Sequence, residues 1–295
     1  MVEWCGTEKD FQHSITPLLH YSMLLLFDIG NTNTHLGLAN ARRVVKHANI
    51  PTPAWFQGTA ERLVKRFVGR VSLEGAVLCS VVPRATPRVR KFVAQLGASA
   101  SGPARRGIGQ RAGSETGVPL LELTAKTLRG PGIDYPRPHT IGPDRLANAV
   151  AARKHFGAPV VVVDFGTAVT FDVVNRAGNY AGGIIAPGLA AMTDYLHEKT
   201  ALLPRIRIRE IKTAIGKSTE QAMLVGAVHG YRGLVRELIA ELKRELKVKH
   251  LPVVATGGYA QLIAARLPEI FAVEPALTLE GLRLMWEAAR THGQR

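Results

Sequence analysis

At 295 residues, with 46% hydrophobic and 21% charged residues, the chain carries apolar material for more than one core, which excludes a disordered or fibrous protein. Its two cysteines, Cys5 and Cys79, lie far apart with no metal-ligand spacing, which argues against a disulfide framework or structural zinc and fits a reducing cytosol. The formal net charge of +15 raises nucleic acid as a partner, but the basic residues are interleaved with acids and apolar positions, and no helix-turn-helix, zinc-finger or RNA-binding aromatic motif accompanies them.

Residues 1–22 are weakly patterned and stand before Met23 and the first strand. The apolar run from Ile15 to Phe27 is broken by His20, Tyr21 and Ser22 and closed by Asp28, so residues 1–22 are read as an N-terminal extension or a misplaced start. No apolar stretch is long enough to span a bilayer, and the expectation is a cytoplasmic protein without a membrane partner. A strand at 24–27 leads to a polar turn and a second strand at 36–38, with a third at 42–50. Helical spacing covers 59–68, a buried strand covers 75–82, and a helix follows over 87–96. Residues 99–117, rich in Gly, Ser, Ala and Arg, read as a loop and an insertion whose residues assign it no role. A proline-broken stretch then leads through Gly142-Pro143-Asp144-Arg145 into a helix ending at Phe156. Strands at 160–163, 171–174 and 182–185 follow, then helices over 189–199 and 219–247, a last strand at 252–255, and closing helices over 261–266 and 280–291.

One pattern occurs twice. Asp28-Ile29-Gly30-Asn31-Thr32-Asn33-Thr34 follows Leu24-Leu25-Leu26-Phe27, and Asp164-Phe165-Gly166-Thr167-Ala168-Val169-Thr170 follows four valines. In each copy a buried strand delivers an Asp, then a Gly two residues on, with a hydroxyl or amide beside it. Glycine admits close approach of a phosphate, and Asn31, Thr32 and Thr167 offer hydrogen bonds to its oxygens. Each Asp, at the C-terminal edge of its strand, suits a metal ion or its water shell. The repeat predicts an α/β chain of two related lobes: an extension 1–22, an N-terminal lobe 23–140 with the first phosphate turn, and a C-terminal lobe 141–295 with the second.

Taken with Ser80-Val81-Val82-Pro83, Tyr135-Pro136-Arg137-Pro138, Gly182-Gly183-Ile184-Ile185-Ala186-Pro187-Gly188, Thr200-Ala201-Leu202-Leu203-Pro204, Ile215-Gly216-Lys217-Ser218-Thr219 and Ala255-Thr256-Gly257-Gly258, this series resembles the type III pantothenate kinases over residues 23–286. Those are bacterial enzymes of coenzyme A synthesis that share the actin-like, ribonuclease H-like fold of acetate kinase, sugar kinases and heat-shock chaperone ATPases. The resemblance implies a nucleotide cleft between the two lobes and transfer of the γ-phosphate of ATP to the primary hydroxyl of pantothenate, giving 4'-phosphopantothenate. It implies ATP and Mg2+ contacts from Asp28, Gly30, Asn31, Thr32, Asn33, Thr34 and His35, and a phosphate contact from Thr167. Asp144 matches the general base, Arg145 with Gly142 and Pro143 the substrate-binding turn, and Tyr135 the pantothenate pocket. Asp164 matches the ligand of a monovalent cation, K+ or NH4+. Thr219 matches a threonine that reaches pantothenate across the interface of a homodimer.

Each residue also has a plainer reading. Asp144 suits a helix N-terminus, Tyr135 can pack in its proline-rich turn, Thr219 can cap the long helix, and Thr256-Gly257-Gly258 is either a strand-to-helix turn or a flat bed for adenine. His35 reads as an exposed turn residue rather than a catalyst. The charge of Arg145 is expected to keep Asp144 ionised. Pro143, where the family usually has a small or β-branched residue, removes a backbone donor that could touch substrate. The competing functions are an accessory transcription factor of the Bvg type on the same fold and a kinase of another small alcohol.

Overall fold

A computed structural model describes residues 22–98 and 117–292; residues 1–21 of the expected extension and 99–116 of the expected loop 99–117 lie outside the described residues. The first sheet begins as an antiparallel meander of β1 (Met23–Ile29), β2 (Asn33–Ala39) and β3 (Val44–Pro51). Helix α1 (Ala60–Val68) leads to β4 (Leu73–Ser80), parallel to β1, and α2 (Thr86–Ala98) precedes β5 (Leu120–Glu122), parallel to β4. Helix α3 (Pro143–Phe156) then introduces a second meander, β6 (Val160–Phe165), β7 (Ala168–Val174) and β8 (Tyr180–Pro187). After α4 (Leu189–Lys199), α5 (Thr219–Val225) and α6 (Tyr231–Glu245), β9 (Val253–Thr256) runs parallel to β6. Helix α7 (Ala260–Ala264), β10 (Ala272–Val273) and α8 (Leu277–His292) complete the described chain.

The strand orders are β3-β2-β1-β4-β5 and β8-β7-β6-β9-β10, so the duplication in the sequence is a duplication of topology. Three antiparallel strands followed by two parallel ones, given twice, fit the actin-like, ribonuclease H-like class expected of the resemblance. The strands that carry the Asp, β1 and β6, lie at the centre of their sheets and read as unbroken apolar runs because both faces are covered. One face of the first sheet packs Leu25, Phe27 and Ile29 with Trp55, Val64, Phe67 and Phe92, and the Trp55 ring meets those of Phe27 and Phe92 edge-on at 6.3 and 6.0 Å. The second core gathers Val161, Val163 and Phe165 with Phe171, Tyr231, Val235 and Ile239.

The two compact units are not divided at residue 140. The first comprises the described parts of Met1–Gly130 and Thr278–Arg295 together with His139–Ala147; the second comprises Pro131–Pro138 and Asn148–Leu277. Helix α8 therefore belongs to the first unit, where Trp286 fills the space a side chain at Gly75 would need, Leu279 lies against Gly37, and Arg283 donates to the Ala41 carbonyl at 2.8 Å.

Three elements differ from the sequence reading. Strands β5 and β10, of three and two residues, are too short to show a period. The helix expected over 219–247 is interrupted by a π-helical segment, Gly226–Gly230, bounded by two glycines with open space where a Cβ would stand. No described helix is long and apolar enough to cross a membrane.

Candidate active site

In the first unit the β1–β2 turn is residues 30–32, and it is braced from below. Thr52 donates its hydroxyl to the Gly30 carbonyl (2.6 Å) and its backbone N–H to the Thr32 carbonyl (3.0 Å), while Gly30 N–H closes the turn on the Asn33 carbonyl (3.0 Å). With its proton used on Gly30, the Thr52 hydroxyl accepts from Thr34 (3.1 Å), and Thr34 in turn accepts from the Trp55 indole (3.1 Å). Thr34 is fully buried, which corrects the expectation for its side chain: the hydroxyl is committed to the core, and only its backbone can serve a nucleotide. Asn31, Thr32 and Asn33 remain exposed. His35 is not a turn residue but lies within β2, paired in register with Asp28, and its Nδ1 meets Asn49 Oδ1 at 2.6 Å.

Asp28 sits near the end of β1, beside Cys79 of β4 in register, and the Cys79 thiol donates to its Oδ1 at 3.3 Å. Burial pushes the Asp28 carboxyl above its ordinary value, against the opposing charge of His35 and this hydrogen bond. Asp144 occupies the first turn of α3 in the same unit. Its carboxyl is pushed up to about 6, by burial first and the Asp28 charge second, while the Arg145 N–H (2.8 Å to Oδ1) and the Arg145 charge pull the other way. The pull of Arg145, expected to keep Asp144 ionised, is present but outweighed by burial and the Asp28 charge. At pH 7 to 8 the group is still mainly ionised, with a proton affinity suited to a general base. Pro143 opens α3, where the N–H it lacks would have no helical partner, so its effect on the fold is benign. Gly142 contributes clearance: a Cβ there would overlap Asp144 Oδ1.

In the second unit the β6–β7 turn is one residue shorter, residues 166–167. Asp28 faces His35 across its hairpin, whereas Asp164 faces Thr170, so the structural counterpart of Thr34 is Val169. Asn148 donates to Asp164 Oδ2 at 3.4 Å. Two glycines press on this turn. A Cβ at Gly257, whose φ is +90°, would lie 2.5 Å from Asp164 Oδ1 and 2.7 Å from the Phe165 backbone, and one at Gly188 would overlap the Thr167 carbonyl. The Thr256-Gly257 turn thus has a structural duty toward Asp164, and Thr167 stays exposed at the turn.

Tyr135 also belongs to the second unit. Its ring is exposed on one side and packs edge-on against Tyr180 at 6.3 Å, above Gly182. Thr219 is the first residue of α5 but not its cap. Ser218 is the N-cap, accepting from Gln221 N–H at 3.2 Å, which leaves the exposed Thr219 hydroxyl outside the cap.

A family model of the type III pantothenate kinases matches residues 24–241, which include both turns, the Asp144 helix and Thr219. The chain belongs to this family. Among curated type III pantothenate kinases, that of Akkermansia muciniphila is 44% identical over 88% of this chain and 96% of its own length. That of Methylacidiphilum infernorum is 42% identical over 90% and 88%, and that of Geobacter sulfurreducens 37% over 91% and 100%. Among solved structures, a Campylobacter jejuni protein named as a Baf family transcriptional activator superposes with a TM-score of 0.55 at 17% identity, covering 90% of this chain and 99% of that one. That likeness establishes the shared fold alone.

For a pantothenate kinase of this type, the sequence reading missed the residues that hold the site residues in place. Thr52, between Pro51 and Pro53, is the brace of the first turn; Cys79 and Asn148 donate to the two strand-end aspartates. The signal for Cys79 was present: a polar atom near the end of a buried strand, immediately before Ser80-Val81-Val82-Pro83, comes level with Asp28 once β1 and β4 pair in parallel.

Proposed function

We propose that this protein transfers the γ-phosphoryl group of ATP to the primary hydroxyl of pantothenate, the first step of coenzyme A synthesis. Membership of the family carries the reading, and the Asp28 and Asp144 pair of the first unit gives it a chemical basis. As the pantothenate oxygen forms its bond to the γ-phosphorus and the bond to the β-phosphate oxygen breaks, the hydroxyl proton passes to Asp144, leaving ADP and 4'-phosphopantothenate. Arg145 offers a planar fork for the pantothenate carboxylate, and Tyr135, in the second unit, offers pantothenate a ring face. Asn31, Thr32, Asn33 and the backbone of the first turn serve ATP phosphates, as does Thr167 in the second unit.

The donor set suits the cations of the reaction. Asp28, a partly exposed carboxylate with its charge disfavoured by burial, is a hard oxygen ligand for the Mg2+ that accompanies ATP, which when bound neutralises charge on the phosphates. Asp164, with Gly166 and Thr167, is assigned to K+ or NH4+. A homodimer is part of the same reading: Thr219, free of capping duty, serves the substrate pocket of the partner subunit. The basic surface binds no nucleic acid specifically, and the protein works in the cytoplasm.

Transfer of labelled phosphate from ATP to pantothenate, with and without potassium, tests the reading. Product formation stimulated by potassium is expected; an inert chain that instead binds DNA selectively at physiological salt would favour the regulatory alternative.

A further inference from the structure

We propose that Cys79 is a positioning residue for phosphoryl transfer, its thiol holding Oδ1 of Asp28 so that Oδ2 is presented to the metal-nucleotide. The inference rests on the kinase reading above and on four observations about the first unit. Cys79 is fully buried on β4 and comes level with Asp28 on β1 through the parallel register Asp28↔Cys79. Its thiol, at 3.3 Å, is the one hydrogen-bond donor to the Asp28 carboxylate among the described residues. A carboxylate at a strand end with one oxygen pinned and the other uncommitted is oriented, not merely placed. The duplicated sheet repeats the arrangement: Asp164 stands level with Thr256 on β9, the counterpart of β4, so in each unit the strand-end aspartate has a small buried side chain carrying a donor at the same register position.

The Cys79 thiol stands as a donor to Asp28 Oδ1 and has no exposure to solvent. Its full burial keeps it from reagents in solvent. This leaves the hydrogen bond to Asp28 as its chemical contribution, that of a donor weaker than a hydroxyl but matched to the space between two packed strands.

The test compares Cys79→Val, which fills the site without a donor, with Cys79→Ser, which keeps one. For each full-length variant, Mg·ATP affinity is measured by calorimetry without pantothenate, beside kcat, the pantothenate KM, the magnesium concentration for half-maximal activity, and the melting temperature. Cys79→Val is expected to weaken Mg·ATP binding and raise the magnesium requirement by roughly 2- to 10-fold each, the worth of one net hydrogen bond, with the pantothenate KM unchanged. Cys79→Ser is expected to restore both. If the Val variant binds Mg·ATP as the wild type does, the proposal fails. It fails equally if Val and Ser variants lose binding together in proportion to a lower melting temperature, since that is a packing role. A wild-type protein that does not phosphorylate pantothenate would instead overturn the functional reading, so the two failures are distinct.

Discussion

Gly142 and Asp144 share a space with room for one of them: a Cβ on residue 142 would overlap the Oδ1 atom of Asp144. Gly142 is partly buried at the entrance to α3 and has no positive φ to explain it, so the clearance itself accounts for the glycine. Gly142→Ala is therefore expected to turn the carboxylate rather than unfold the turn, since the side-chain oxygen yields before backbone does. Turnover should fall by about 10-fold or more, because misplacement of a reacting group by an ångström is costly. Steady-state kinetics with the melting temperature checks it; an unchanged kcat would remove Asp144 from the chemistry.

Asp144→Asn keeps the shape and the acceptor for Arg145 N–H but cannot take a proton. Its turnover should drop by roughly 10²- to 10⁴-fold. The same substitution should stabilise the protein at pH 8. A carboxyl whose pKa is raised in the folded state binds its proton more tightly there than in the unfolded chain, so its ionised form costs stability, fully so above the folded value of about 6. The cost disappears as pH falls toward the unfolded value near 4. Removing the charge should be worth about 1–3 kcal/mol at pH 8 and little at pH 4, read from denaturant melts at both. In the wild type, kcat/KM should fall on the acid side of about pH 6.

The assignment of Asp164 predicts turnover that needs K+ or NH4+ and is poorly supported by Na+, with Asp164→Ala losing that response. Gly257→Ala should reach the same end from a neighbouring strand. It places a Cβ against Asp164 Oδ1 at a residue with φ of +90°, so about 1–3 kcal/mol of stability and part of the potassium response should be lost together. Equal turnover of the wild type in Na+ and K+ would refute the assignment.

Gly226 and Gly230 have helical φ values of −58° and −62°, and a Cβ at either meets nothing within the chain. Alanine at each should stabilise the isolated subunit by about 0.5–1 kcal/mol. Tryptophan at Gly230, by contrast, should dissociate a dimer that closes over this face and lower activity by withdrawing Thr219 from its partner. Sedimentation at assay concentration decides: an undisturbed dimer would place the interface elsewhere.

Arg232 is 3% exposed and fully engaged, forking onto Glu210 at 3.1 and 2.6 Å and donating to the carbonyls of Leu262 (2.6 Å) and Ile263 (3.3 Å). Arg232→Ala leaves those two carbonyls without their donor and Glu210 with Arg266 at 3.6 Å, and should cost about 1–3 kcal/mol in denaturant melts. Loss of under 1 kcal/mol would show that water replaces the guanidinium there.

What could be read before the structure follows the range of the interactions involved. Asp28 and Asp164 were legible because a buried strand, an acid and a glycine are consecutive in the chain. Thr34 was misread because the one-residue difference in turn length appears only in the strand register, and the Ser218 cap was missed in favour of its neighbour, since both carry hydroxyls. The rise of Asp144 toward pH 6 comes first from burial and second from Asp28, more than a hundred residues earlier, and these outweigh the pull of its sequence neighbour Arg145.

The placement of α8 has a consequence for how the protein is made. The first sheet is complete by Glu122, yet Trp286, Leu279 and Arg283, which pack against it at Gly75, Gly37 and Ala41, are made more than 150 residues later. The second unit has all its strands by Val273 and can consolidate first, while the sheet bearing Asp28 waits with an uncovered apolar face. The sheet that is made first is thus the one that is covered last.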